Sequence, residues 1–262
     1  QINGTTGYEE AASLGLMAGI NAALKIKKRP MFILDRSEAY IGVLIDDLVT
    51  KGTNEPYRMF TSRVEYRLIV REDNAAYRLS ALGHSLGLLS RKKLKSVLKS
   101  RERIEKIEKK LKSISVKPDK KTNNILKKKF SQAPIASSCT LLALLKRPGI
   151  KFDGIMEIAG IPNKLSYYEK TQVEVDAKYA GYVRRENVFI EKFKKIEKIK
   201  IPCNFDYLNL TGLSNEIKEK LSSFKPISLG QASRVSGVTP AAIALLMAKL
   251  RSTSKMKAGH RA

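Results

Sequence analysis

Apolar and polar positions along the chain repeat at helical spacing through most of its length. The first clear run begins near Tyr8, where Ala11, Gly15, Ala18 and Ala22 recur three or four residues apart and share one helix face. That face has almost no side-chain bulk, which predicts close packing against something large or flat. A second helix is predicted from Ser37 as N-cap through "EAYIGVLIDDLVTKG", with Ile41, Leu44, Ile45 and Leu48 apolar and Gly52 closing it.

From Glu55 to Ser90 the signal is mixed, because "EYRLIVR" alternates like a strand while the longer stretch also winds as a helix. Arg63, Arg67 and Arg71 stand four apart, so they share a face under either reading. Leu94, Val97, Leu98, Ile104, Ile107, Leu111 and Ile114 then mark a long amphipathic helix, and Pro118 ends the region. "DKKTNNILKKKFSQ" has no clear period and reads as a basic linker. Short helices around tight Gly/Pro turns are predicted next, followed by a long helix from about Gln172 to Ile199. Near the end, Ser228 and Gln231 form a capping box, Gly237 supplies a turn, and Thr239 with Pro240 opens another helix. This is a helix-turn-helix outline.

Composition sharpens the picture. With 262 residues, 43% of them hydrophobic, the chain can bury packed cores. Its formal charge of +25, from 50 Lys and Arg against 25 Asp and Glu, points to a polyanionic partner. A lysine-biased genome is the bland alternative, but the charge is clustered: residues 91–133 hold 17 Lys/Arg and 4 Asp/Glu. Cys139 and Cys203 lie far apart with no CxxC spacing, so neither a disulfide framework nor a metal site is supported, and a reducing, cytoplasmic setting is expected. No apolar run is long enough to span a bilayer and no secretory signal is visible. The missing initiator Met leads us to expect the C-terminal piece of a longer protein.

Three stretches carry candidate chemistry. The opening "NGTTGY" would present the N–H groups of Thr5, Thr6, Gly7 and Tyr8 at a helix N-terminus, which favours negative charge; an ordinary tight helix entry is the alternative. The arginine face suits phosphate, with Tyr57 and Tyr66 nearby to stack on a base; a salt-bridge lattice with Glu55, Glu65, Glu72 and Asp73 competes. "KYAGYVRR" interleaves Lys178, Tyr179, Tyr182, Arg184 and Arg185, a pattern that stacks on bases while holding phosphates, or else a solvated helix face. In the C-terminal outline, Ser233, Gly237 and Ile243 have helix-turn-helix spacing, yet "TPAAIALLMAK" lacks the Arg, Asn or Gln of a base-reading helix. His84 and His260 show no partner, and the cysteines read as packing residues.

Five segments together resemble one family: "QINGTTGYEEAASLGLMAGINAA", "EAYIGVLIDDLVTKGTNEPYRMFTSRVEYRLIVREDNA", "LLKRPGI", "VEVDAKYAGYVRR" and "SLGQASRVSGVTPAAIALL". They stand in the order found in the glucose-inhibited division protein A family, the FAD-dependent large subunit of a tRNA wobble-uridine modification enzyme. The resemblance implies a mainly α chain: the C-terminal end of a Rossmann-like α/β flavin domain, a mixed connector and a helical C-terminal domain. The implied division is a flavin-domain helix over 1–30, a connector over 31–90, a basic helix and linker over 91–133, a tRNA-binding domain over 134–200 and a small helical subdomain over 201–262.

It implies that, with a GTP-hydrolysing partner, FAD, a reduced nicotinamide and a folate one-carbon donor, an aminomethyl-type group is added to C5 of the wobble uridine. A homodimer is implied for the full-length protein. Gln1, Asn3, Gly4, Thr5, Thr6, Gly7 and Tyr8 become the expected FAD contacts, with the helix start facing the flavin N1–C2=O edge, which turns negative on reduction. Arg58, Arg63, Arg67 and Arg71, with the "KYAGYVRR" residues, become expected tRNA contacts. The family's G-x-G-x-x-G and proposed catalytic cysteines are absent, so no catalytic residue is expected here and this chain alone is expected not to turn over. A non-enzymatic basic nucleic-acid-binding module with a C-terminal helix-turn-helix is the alternative.

Overall fold

The computed structural model of the chain describes residues 4–53 and 55–259, with side chains as far as Leu250. The expectations for Gln1, Asn3 and His260 lie outside these residues. Helix α1 (Tyr8–Ile26) begins where the spacing placed it. Helix α2 (Tyr40–Thr50) begins later than read, because its N-cap is the extended Ala39 rather than Ser37. Ser37 instead sits in a turn around Asp35, whose backbone and that of Leu34 lie so close to buried Gly42 that no Cβ would fit there. Gly42, Val43, Leu44, Asp47 and Thr50 are the buried positions of α2, a face turned away from the purely apolar one expected. Gly52 does close the helix, at φ +65°.

A 3-10 turn at Thr61–Arg63 follows, then irregular turns to Asn74, so the described residues of the mixed connector hold no strand. Helices α3 (Ala75–Ser85) and α4 (Arg91–Ser113) come next, the latter capped by the Ser90 hydroxyl on the Lys93 N–H. Strand β1 (Ser115–Val116) pairs antiparallel with β2 (Cys139–Thr140), and helix α5 (Lys120–Phe130) lies between them in sequence. The remainder is helical: α6 (Leu141–Leu145), α7 (Phe152–Ala159), α8 (Tyr167–Glu197), α9 (Asn215–Phe224), α10 (Leu229–Arg234) and α11 (Pro240–Gly259). Among the described residues the two-stranded β1–β2 ribbon is the whole sheet content, so the chain is mainly α and shows no Rossmann-like layer.

The basic linker is corrected by α5. Asp119 accepts the Thr122 N–H at 2.7 Å, Leu126 is fully buried, and Asn123 exchanges two hydrogen bonds with the Ile135 backbone. Only Thr122 and Leu126 are buried in this helix, one position per turn, too few apolar residues to register as a period. The long helix α8 and the capping bonds of Ser228 and Thr239 follow the sequence reading.

The chain divides into two compact units, Gln1–Arg67 with Glu186–Ala262, and Leu68–Arg185, which cut across the five stretches read from the sequence. The second unit is built around Leu111, Leu126, Leu141, Leu144, Phe152 and Val173. Glu169 is buried at its edge, accepting from the Ser166 N–H (2.9 Å), the Ser100 hydroxyl (2.7 Å) and Arg103 Nε (2.8 Å). The C-terminal residues of the first unit pack around Leu221, Leu229, Ala232 and Leu246, and Lys200 bridges to Ser228.

Removing the Leu126 side chain (Leu126→Ala) should destabilise the second unit by about 2–5 kcal/mol, the usual cost of a buried leucine cavity, whereas a true linker would tolerate it; urea unfolding reads the difference. Burial alone would raise the Glu169 pKa, but its hydrogen bonds from Ser100, Ser166 and Arg103 outweigh that and hold it at about 2. Its stabilisation is therefore complete above the ordinary carboxylate range and lost as pH falls from about 4.5 toward 2. Glu169→Gln should flatten that part of the acid-unfolding curve.

Candidate nucleic-acid interface and cofactor edge

The opening turn is shaped by close backbone approach. Gly4, at φ +70°, lies against the backbone of Pro56 and Tyr57. Gly7 is the extended N-cap of α1, and no side chain caps the helix start. Thr5 is buried with its hydroxyl lacking a hydrogen-bond partner among the described residues, while Thr6 and Tyr8 are exposed. Glu10 is buried and turns back beneath Gly7. Its Oε1 accepts the Met59 N–H at 2.8 Å and its Oε2 stands 3.8 Å from Arg58 Nη1. The Met59 hydrogen bond is the main reason its carboxyl stays below the ordinary range. A Cβ at position 7 would strike both Glu10 and Arg58, so a larger residue would displace the ends of these two side chains.

An uncapped helix start and an unpaired buried hydroxyl fit a group with an electron-rich edge, such as a flavin. The small-residue face of α1 is exposed, and its buried side is Glu10, Met17, Ile20 and Leu24. The close packing predicted for that face is not made by the described residues.

The shared arginine face is not formed, because residues 64–74 are neither helix nor strand. Arg63 lies over the Tyr57 ring at 4.7 Å. Arg71 donates to Asp73 and Asp176 at 3.0 Å each and to the Leu68 carbonyl, so its guanidinium is committed internally. Arg58 and Arg67 are exposed. Burial pushes the Glu186 carboxyl up while the Arg67 charge pulls it down. Tyr57 and Tyr66 are buried, which removes them as stacking platforms; burial raises the Tyr66 hydroxyl to about 12. Of the competing lattice, Asp73 pairs with Arg71, but Glu65 is taken by an arginine outside the expected set.

That residue is Arg36, 6% exposed. It grips Glu65 with Nε and Nη2 (2.7 and 2.8 Å) and Asp47 and Asp46 with Nη1 (2.8 and 3.0 Å). Burial alone would lower its pKa; the bonds and charge of Glu65 and Asp47 overcome this and raise it. Asp46 also accepts from Arg234 Nη2 at 2.8 Å, and Arg234 pairs with Glu197, which accepts the Ser228 hydroxyl. The adjacent aspartates of "IDDL" were the available signal, since two carboxylates within an apolar helix need cations. Nothing in the spacing could say which ones.

"KYAGYVRR" behaves differently. Val173 and Ala177 anchor α8 in the second unit's core, and Tyr182, nine residues beyond Val173, falls on the opposite side. Tyr179 and Tyr182 are 41% and 54% exposed, with ring centres 6.4 Å apart, and the Arg185 guanidinium lies 5.0 Å over the Tyr182 ring. Arg184 is exposed and Lys178 half-buried. His84 does have a partner, the Leu89 carbonyl at 2.8 Å, and Cys203 is exposed rather than packed.

Three stretches match families of known proteins: residues 1–30 the glucose inhibited division protein A family, residues 91–187 the MnmG/GidA C-terminal helical domain, and residues 189–262 the MnmG/GidA C-terminal helical bundle. The chain belongs to the MnmG/GidA family. It is 49% identical over 255 residues to the tRNA uridine 5-carboxymethylaminomethyl modification enzyme MnmG of Caldicellulosiruptor saccharolyticus, covering 97% of this chain and 41% of that protein. The MnmG of Syntrophobacter fumaroxidans is also 49% identical, over 96% of this chain and 39% of its own length. The crystal structure of Aquifex aeolicus GidA in form II matches with a TM-score of 0.78 at 45% identity, over 95% of this chain and 39% of that one. The chain thus spans about two fifths of the length of these relatives.

Arg234→Ala should leave the part-buried carboxylates of Asp46 and Glu197 under-compensated and destabilise the first unit by up to about 3 kcal/mol, measured by urea unfolding.

Proposed function

We propose that this chain is the RNA-holding part of an FAD-dependent enzyme that, like the relatives named for it, modifies C5 of a tRNA uridine, and that it also forms one edge of the flavin site. The observation that carries the reading is the exposed ridge of α8, where Tyr179 and Tyr182 offer ring faces and Arg185, over the Tyr182 ring, offers a phosphate ligand; Arg184 is exposed on the other side of the helix and adds charge there. The lysine-rich α4, α5 and their surroundings supply the non-specific field that draws RNA in. Of the arginines expected at tRNA, Arg58 and Arg67 remain in the reading; Arg63 and Arg71 serve internal contacts.

FAD, when bound, supplies the redox chemistry. The N–H groups at the start of α1 and the Thr5 hydroxyl would then meet the electron-rich edge of its ring, flanked by Thr6 and Tyr8, with Gly4 and Gly7 letting the turn sit close against residues 56–58. The wobble position, a GTP-hydrolysing partner, a reduced nicotinamide, a folate one-carbon donor, a dimeric full-length protein and a cytoplasmic setting complete the reading. No described helix is long and apolar enough to cross a membrane. A DNA-reading module is disfavoured, because the described exposed positions of α11 after its N-cap are Pro240, Ala241, Ala244, Leu245, Ala248 and Lys249, with no Arg, Asn or Gln.

Arg185→Ala should reduce the slope of log K for tRNA against log salt by about one, the loss of one phosphate contact. Tyr182→Ala should weaken binding by about 1–3 kcal/mol with the slope unchanged. Unchanged affinity in both variants would leave the ridge a solvated helix face and end the proposal.

A further inference from the structure

Between α4 and α8 of the second unit, a group of polar side chains borders the apolar core. On α8, Gln172 and Asp176 each precede a buried core residue, Val173 and Ala177; on α4, half-buried Glu108 stands one turn beyond buried Ile104. Asp176 is well supplied with donors. Its Oδ1 accepts Arg71 Nη2 at 3.0 Å and its Oδ2 accepts Gln172 Nε2 at 2.7 Å, and Arg71 is held in turn by Asp73. Gln172 is 4% exposed, and its Oε1 is buried with no hydrogen-bond partner among the described residues. Nor does any donor among the described residues reach the Glu108 carboxyl.

An ionised carboxylate can only accept a hydrogen bond, whereas a protonated one can also donate. We infer that Glu108 is a proton-operated clasp between α4 and α8: protonated, it donates to the Gln172 carbonyl oxygen and sits beside Asp176 without repulsion, and ionised, it loosens the turn of α8 that carries both. Asp176 keeps its charge because its two donors favour the ionised form, so the proton belongs to Glu108. Burial and the Asp176 charge both raise the Glu108 pKa; Lys112 opposes them and Glu105 adds to them. The other elements packed on α4 do not compete. Helix α6 has no ionisable side chain and β2 has only Cys139, while on α3 Tyr77 pairs with Ser100, Arg78 with Asn74 and the Arg71 carbonyl, and His84 with the Leu89 carbonyl. Because the pKa is raised in the fold, the stabilisation is complete below the ordinary carboxylate range and is lost as pH rises through the raised value, the reverse of Glu169. Tyr179 lies three residues beyond Asp176, so the clasp acts on the helix turn from which the exposed ridge starts. It would do so whether or not that ridge binds RNA.

The test is amide hydrogen exchange in the full-length protein without RNA, read by mass spectrometry on peptides covering residues 167–180 and corrected for the intrinsic rate, between about pH 5 and pH 8. Protection of these residues should fall several-fold as pH rises, while that of α5 stays level. Glu108→Gln should hold the acidic level of protection throughout, because an amide donates without charge. Asp176→Asn removes the charge that raises the Glu108 pKa, so the fall should move toward lower pH. Protection that does not change with pH, or that falls in Glu108→Gln as it does in the unaltered protein, overturns the inference. A parallel fall in α5 would mean that the whole unit loosens, and would overturn it as well.

Discussion

The first unit depends on how one buried guanidinium is neutralised. Arg36 carries its charge into the interior, where an unpaired cation would cost several kcal/mol. Three carboxylates, from Asp46, Asp47 and Glu65, surround it. This leaves an excess of negative charge that Lys51 and Arg234 reduce. Each new partner comes from another segment: α2, the turn after the 3-10 helix, and the short α10 nearly two hundred residues along the chain. Tyr57 joins through its hydroxyl on Asp47, and the burial that favours this also raises its pKa. The network therefore fixes the segment bearing Arg58 and Phe60 relative to α2. Apolar packing alone is non-directional and would allow that segment to slide.

The second unit solves a different problem. Its core is apolar and continuous, with buried Glu169 tying α4 to the start of α8. Burial of Val173 and Ala177 sets the rotation of α8, and that rotation pushes Tyr179, Tyr182 and Arg185 outward. The ridge proposed for nucleic acid is thus a by-product of core packing on the opposite side of the same helix.

Where apolar or small residues recur at helical spacing over five or more turns, the spacing in the sequence located the helix: α1 and α4 start at their predicted places and α8 starts five residues before its own. It failed for α5, whose inward face has one buried residue per turn, and for residues 64–74, whose alternating pattern comes from turns in which Val64, Tyr66 and Val70 are buried singly. The candidate site was legible in part. The exposure of Arg58, Tyr179, Tyr182, Arg184 and Arg185 agrees with a surface role read from residue type and local motif, and the close packing at Gly7 agrees with a tight turn. Arg36, Asp47 and Arg234 were missed because their meaning lies in pairing across long sequence separations, which periodicity does not encode.

The contrast between two Tyr–Arg pairs shows why local composition is an insufficient guide to RNA binding. Arg63 over Tyr57 and Arg185 over Tyr182 have nearly the same geometry, 4.7 and 5.0 Å from ring centre to guanidinium. Yet Tyr57 is 2% exposed with its hydroxyl held by Asp47, whereas Tyr182 is 54% exposed. In the first pair the ring is enclosed by the protein and the charge of the arginine acts on the buried tyrosine hydroxyl. In the second, the outer ring face and the guanidinium edge stay in solvent, ready to exchange water for a base and a phosphate. Stacking on RNA needs that unspent surface, so helix phase relative to the core, rather than the presence of Tyr and Arg, separates a binding ridge from an internal strut.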